Sequence, residues 1–178
     1  MRPLNSSACK LAVIAALGAG AALWASLAAA QPDRPTPSGL PVPRWVSLKS
    51  GQINARVGPG NDYRILWTYR TRGLPVQVIA ETRDWRRVCD PRGGMAWINA
   101  GTTSGHRTVM RMRPQALPLR AKPDPAAPIT AYLAGRSLAS LDRCKAGWCK
   151  VRVGRASGWI PAAETWGTDE RQQCRAKR

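Results

Sequence analysis

The sequence has no phenylalanine, one histidine and only 10 acidic residues among 178. Each shortage removes a class of chemistry. His106 lies in Gly105-His106-Arg107, and no serine or cysteine is placed near it to form a nucleophile–base pair. The sparse carboxylates form no pair of the kind that glycoside hydrolysis needs. No Cys-x-x-Cys spacing exists and the histidine is far from every cysteine, so a metal centre is not expected. No Gly-Lys-Ser/Thr follows Val57-Gly58-Pro59-Gly60, which excludes a phosphate loop; the glycines there are expected to permit a tight turn with positive φ. These absences predict a chain that is not an enzyme and carries no cofactor.

Helical periodicity is also missing, and only one long apolar run is present. It extends from Leu11 to Ala30, after Arg2 and Lys10, and ends in Ala28-Ala29-Ala30. A basic start, an apolar stretch and a small-x-small terminus predict a secretory signal over residues 1–30. The alternative is an uncleaved N-terminal membrane anchor, because the run is long enough to span a bilayer. Cys9 precedes the run, which argues against a lipid-modified cysteine. The expected location is periplasmic or extracellular, with no stable transmembrane segment after cleavage.

What the chain does have is basic charge. Lys and Arg number 28, for a formal net charge of +18. Cleavage would remove only two of those charges, Arg2 and Lys10. Such an excess attracts anionic surfaces. Export makes lipid headgroups and cell-wall polymers more available than nucleic acid, which is not the expected partner. The plainer reading is that the charge sets only solubility and nonspecific adhesion.

Four cysteines follow the apolar run, an even number that suits disulfides in an oxidising compartment. In Leu141-Asp142-Arg143-Cys144-Lys145-Ala146-Gly147-Trp148-Cys149, a two-residue turn at Ala146-Gly147 pairs Lys145 with Trp148 and then Cys144 with Cys149. That second pair is of the closely spaced kind, about 4.5 Å between Cα atoms. The loop is short, so such a bond mainly pins register. A bond between Cys89 and Cys174 would tie down a basic tail; the sequence leaves that pairing open.

From Trp45 onward, short β-type runs alternate with turn signals: Val46–Leu48, Ile53–Val57, Ile65–Tyr69, Leu74–Ile79, Trp85–Cys89 and Met95–Ile98. A second set follows in the same order. Leu117–Pro123 matches Ile53–Pro59, Trp148–Val151 matches Trp85–Val88, and Ser157–Ile160 matches Met95–Ile98. The offset shortens by one residue at each step, as single deletions in loops produce. The alignment puts Glu81 and Arg86 where the second repeat has Cys144 and Cys149. An opposite-charge pair would then do in one repeat what a disulfide does in the other. The expected organisation is a signal at 1–30, a Pro-rich linker at 31–44, one domain at 45–105, a linker at 106–115, a second domain at 116–167 and a basic tail at 168–178.

The run Asn54-Ala55-Arg56-Val57-Gly58-Pro59-Gly60-Asn61-Asp62-Tyr63 resembles the opening signature of bacterial SH3-like domains. Leu74–Val78, Trp85–Val88 and Ala96-Trp97-Ile98 follow the order of that family's later strands. The resemblance covers residues 45–167. It implies an all-β chain of two tandem small SH3-like barrels, each five-stranded, that binds cell-wall peptide or a protein partner. Ala96 stands where the family has Gly, and Pro118 and Lys122 alter the second repeat's opening turn.

Of the eight tryptophans, Trp85, Trp97, Trp148 and Trp159 recur at equivalent places and are expected in or at the edge of the cores. Tyr63, Trp67 and Tyr69, with Arg70 and Arg72 beyond them, are the candidate ligand site. Aromatics rimmed by arginine can hold a peptide or sugar by stacking and charge. The expected function is a non-catalytic cell-envelope module recognising peptidoglycan peptide, an anionic wall polymer or an envelope protein. A structural adaptor without a small ligand is the alternative, and nucleic-acid binding is a third reading supported only by charge.

Overall fold

A computed structural model describes residues 36–174. The expected signal segment, the first residues of the Pro-rich stretch and the last four residues lie outside that range. Fourteen strands make up two antiparallel sheets of the same design. The first contains β1 (Arg44–Leu48), β2 (Ile53–Arg56), β3 (Ile65–Tyr69), β4 (Pro75–Glu81), β5 (Trp85–Cys89), β6 (Met95–Asn99) and β7 (Thr103–Ser104). The second contains β8 (Thr108–Arg111), β9 (Leu117–Arg120), β10 (Ile129–Leu133), β11 (Leu138–Lys145), β12 (Trp148–Val153), β13 (Ala156–Pro161) and β14 (Thr165–Trp166). Strand order is β3-β2-β6-β5-β4-β1-β7 in one and β10-β9-β13-β12-β11-β8-β14 in the other. The tandem SH3-like reading is therefore correct. Each sheet has seven strands rather than the five that the resemblance implies: β1, which contains the expected run Val46–Leu48, and β7 lie at one edge of the first, and β8 and β14 take the same places in the second.

Alternation explains which residues fill the cores, since successive strand residues face opposite sides. In the first repeat Ile53, Ala55, Val76, Val78, Val88 and Ile98 point inward and are buried. In the second, Leu117, Leu119, Leu133, Cys149, Val151 and Ile160 do so. Burying one such Val, Leu or Ile is worth about 1.5–3 kcal/mol. The four recurring tryptophans are only half-buried and belong to neither core. The cores are aliphatic, and those indoles stand on the opposite face of each strand. Bulges also recur, between Val78 and Ala80 in β4 and between Leu141 and Arg143 in β11.

The β11–β12 hairpin has the expected register, with Lys145 opposite Trp148 and Cys144 opposite Cys149. Cys144 and Cys149 are disulfide-bonded, with Cα atoms 4.0 Å apart. Ala146 and Gly147 both have positive φ, 49° and 78°, which is the backbone a two-residue hairpin turn requires. In the first repeat Glu81 does face Arg86. Its shorter ion pair is with Arg44 of β1, while Arg86 Nε is 3.6 Å away. Ser38 also donates to the Glu81 carboxylate through its backbone N–H and its hydroxyl.

Two stretches read as linker and tail behave otherwise. Within 106–115, Thr108–Arg111 is strand β8, and Thr108, Val109 and Arg111 are buried. Four polar and apolar residues in a row gave no alternation to read, yet β8 is the counterpart of β1. The described part of the tail folds back over the first repeat. Trp45 Nε1 donates to the Asp169 carbonyl at 2.7 Å, and Gln77 Nε2 donates to the Arg171 carbonyl at 2.8 Å. The Gln173 N–H donates to Gln77 Oε1 at 2.8 Å. Cys174 is bonded to Cys89, with Cα atoms 5.7 Å apart.

The repeats share a packed boundary. Trp45 meets Trp166 edge-on at 5.0 Å, and Trp166 Nε1 donates to the Pro75 carbonyl. Ser47 Oγ lies 2.8 Å from Thr108 Oγ1, which is 2.6 Å from the Gly73 carbonyl. Gly167, at φ 108°, fits here because a Cβ would come within 2.7 Å of the Thr108 carbonyl. A domain of about 60 residues has a marginal core, and this boundary adds apolar burial that neither repeat supplies alone.

Candidate ligand groove

β3 ends in the alternation Trp67-Thr68-Tyr69, which sends both aromatic rings to the core side of the sheet. Their rings meet edge-on at 5.9 Å. Tyr69 is 6% exposed and its hydroxyl donates to Asp90 Oδ2 at 3.1 Å. Asp90 follows β5 and is itself buried. Its Oδ1 accepts from the backbone N–H groups of Arg92 and Gly94, at 2.8 and 2.9 Å. The Asp90-Pro91-Arg92-Gly93-Gly94 turn is thereby locked. Gly93 takes φ 78°, and a Cβ on Gly94 would come within 2.8 Å of Asp90 Oδ2.

Burial, the Asp90 charge and the hydrogen bond to Asp90 all push the Tyr69 hydroxyl up from its ordinary value. The nearby Trp67 indole N–H opposes them. Tyr69 is therefore a neutral donor committed to Asp90. Trp67 Nε1 is itself buried, on the core side beside the Tyr69 hydroxyl.

These residues form one wall of an open groove of about 600 Å³. Leu74 and Pro91 extend it, and Arg70 and Arg92 stand exposed at its rim. Met110 and Met112 of the second repeat close the far side. Methionines there provide an apolar wall able to adapt to different shapes.

The five candidates from the sequence do not converge on one place. Trp67, Tyr69 and Arg70 line the groove, whereas Tyr63 and Arg72 do not. Tyr63 is 47% exposed and covers the Gly58–Gly60 turn. A Cβ on Gly58 would meet the Tyr63 ring at 2.4 Å. Neither Gly58 nor Gly60 has positive φ, so the expected backbone role is replaced by a steric one: the ring needs the missing side chains. Asp90, Arg92, Met110 and Met112 were not anticipated. The Asp-x-x-Gly-Gly turn was a usable signal for Asp90, but nothing in the sequence brings the methionines to β3.

A second, polar cleft of about 490 Å³ involves His106, Arg107, Asp142, Arg143 and Glu170. Its side chains are of mixed charge, and His106 Nε2 lies 3.4 Å from Ser140 Oγ. Among the described residues, no cluster of three or more His, Cys, Asp or Glu fits a metal ion, and no helix is long and apolar enough to cross a membrane.

Repeated seven-stranded sheets with a groove at their junction define a tandem SH3-like architecture. The Bacterial SH3 domain family model matches the chain twice, at residues 49–105 and 108–167. The chain belongs to the bacterial SH3 domain family. Among solved structures it is similar to NlpC2 from Trichomonas vaginalis, at 12% identity and a TM-score of 0.32, over 70% of this chain and 48% of that one. NlpC1 from the same organism matches at 12% identity and a TM-score of 0.32, over 71% of this chain and 46% of that one. The chain thus spans just under half the length of either. No curated protein matches it.

Proposed function

We propose that the chain is a non-catalytic module of the cell envelope that holds a short peptide segment, from the wall or from a protein partner, in the groove at Trp67. Bacterial SH3 domains are typically binding domains, and family membership together with two disulfides fits an envelope or extracellular setting. One observation carries the choice of site. The groove brings the Trp67 and Tyr69 side chains, an apolar wall and two rim guanidinium groups together in one place. Such a wall can take the apolar side chains of a peptide. Arg70 and Arg92 suit a carboxylate on the same ligand.

Retention of the protein on purified sacculi at physiological salt tests the reading, alongside titration with soluble wall peptides. Trp67→Ala is expected to weaken retention about tenfold, the effect of losing roughly 1.4 kcal/mol of contact. Binding that disappears at moderate salt and is indifferent to Trp67 overturns the groove and leaves only charge.

A further inference from the structure

The outer faces of the two sheets carry a repeated arrangement that the groove does not use. In the first repeat Arg87 is paired with Trp97, and Trp97 with Arg56. At the matching positions of the second, Lys150 is paired with Trp159 and Trp159 with Arg120, while Arg143 is paired with Lys150 on its other side. Each row crosses neighbouring strands with an indole between two cations, spaced by about 4.8 Å per strand. The chain neighbours of these residues are the core residues Ala55, Val88, Ile98, Leu119, Val151 and Ile160. Alternation therefore turns the cations and indoles outward. Trp85 and Trp148 lie two residues before Arg87 and Lys150, on the same faces.

Part of each row is structural. Arg56 Nη1 donates to the Tyr63 carbonyl and Arg120 Nη1 to the Ala127 carbonyl, both at 2.7 Å, bracing equivalent loops. A guanidinium has five N–H donors, so each keeps several. Arg87 and Lys150 make no ion pair among the described residues. Arg143 lies over the Trp159 ring at 5.5 Å, and its neighbour Asp142 is 3.6 Å away with both side chains exposed. Such an exposed pair contributes little, and Arg143 is available to an incoming anion.

A half-buried indole flanked by unpaired cations matches a polymer that alternates ring faces with anionic groups. We infer that each of these outer faces forms a docking surface for an acidic glycan. A sugar ring stacks on Trp97, Trp159 seats Arg143 over its ring, and Arg87, Lys150 and Arg143 pair with the anionic substituents. The formal charge of +18 supplies long-range attraction. Single-stranded nucleic acid also presents rings and charge. The acidic glycan is favoured because disulfides persist in oxidising compartments, where such polymers are met.

The test measures binding of the full chain at about 150 mM salt to polygalacturonate and heparin, which separate carboxylate from sulfate recognition. Dextran, polyaspartate and oligo-dT serve as comparators. At least one acidic glycan is expected to bind about tenfold more tightly than polyaspartate or oligo-dT, a margin of the size ring stacking supplies. Trp97→Ala with Trp159→Ala removes that margin. Arg87→Glu with Lys150→Glu strongly weakens binding and flattens the salt dependence of what remains. The charge variant takes nothing from either core, so it decides the matter if the tryptophan variant loses its fold. Equal binding to polyaspartate, unchanged by the tryptophan substitutions, overturns the proposal in favour of charge alone. Tighter binding to oligo-dT overturns it in favour of nucleic acid. Trp67→Ala leaves glycan binding unchanged, which separates this surface from the groove.

Discussion

Single residues here act through what they sit against. Gly58 lies under the Tyr63 ring, and Gly58→Ala is expected to cost about 1–3 kcal/mol by forcing the ring away. Adding Tyr63→Ala removes the clash, so the double variant should lose less than the sum of the single ones in denaturant unfolding. Glu81 is a pH-sensitive residue. Its side chain is 2% exposed, and burial alone would raise its pKa, yet hydrogen bonds from Arg44 and Ser38 and the Arg44 charge lower it from 4.5 to about 2. A depressed folded value stabilises the fold above the unfolded value. That contribution disappears as pH falls from about 4.5 through about 2. The difference in Tm between wild type and Glu81→Gln should therefore narrow steadily through that window. A gap that stays constant with pH would show that Glu81 acts by packing rather than by charge.

At the scale of elements, equivalent hairpins are secured by different chemistry. The β11–β12 pair has a disulfide and a left-handed two-residue turn. The β4–β5 pair relies on Glu81, which gathers Ser38, Arg44 and Arg86. The Arg83-Asp84 turn lacks positive φ and is closed by Thr82, whose hydroxyl accepts from the Trp85 N–H at 3.2 Å. The Cys144–Cys149 bond closes a short loop, so Cys144→Ala with Cys149→Ala should cost about 2 kcal/mol in the chain-entropy view. Register survives because the two turn residues already select it. Backbone amide protection in β11 and β12 is the measurement that checks this, and loss of protection along both strands would contradict it.

For the molecule as a whole, the tail and the repeat boundary convert two small sheets into one unit. The Cys89–Cys174 bond spans 85 residues. Loop-closure entropy makes its loss cost about 4.5 kcal/mol, more than that of the hairpin bond. Cys89→Ala with Cys174→Ala should accordingly lower Tm further than the hairpin pair does. Trp45 joins β1 to both Trp166 and the tail, and the boundary serves both repeats. Calorimetry is expected to show a single unfolding transition for the wild type. Two resolved transitions would mean that the repeats are independent and the boundary contributes little.

Much of this was legible in one dimension. Period-two alternation identified strands such as Ile65–Tyr69 and Trp85–Cys89, and the fading offset between matching runs identified the duplication. Ala146-Gly147 specified its hairpin, because only a left-handed turn closes two strands with two residues. These are local properties, decided by φ, ψ and side-chain direction within a few residues. The groove was only partly visible: Trp67, Tyr69 and Arg70 were marked as a site, but the neighbouring Tyr63 and Arg72 face elsewhere. Met110 and Met112 reach it only because β8 docks beside β4, a contact between residues far apart in sequence. The inward turn of Tyr69, the seating of the tail on Gln77 and the outward tryptophan rows likewise depend on which face of each sheet becomes core. That choice is made by packing across the whole fold, so the tertiary structure decided it, while the sequence alone determined that there would be two such sheets to pack.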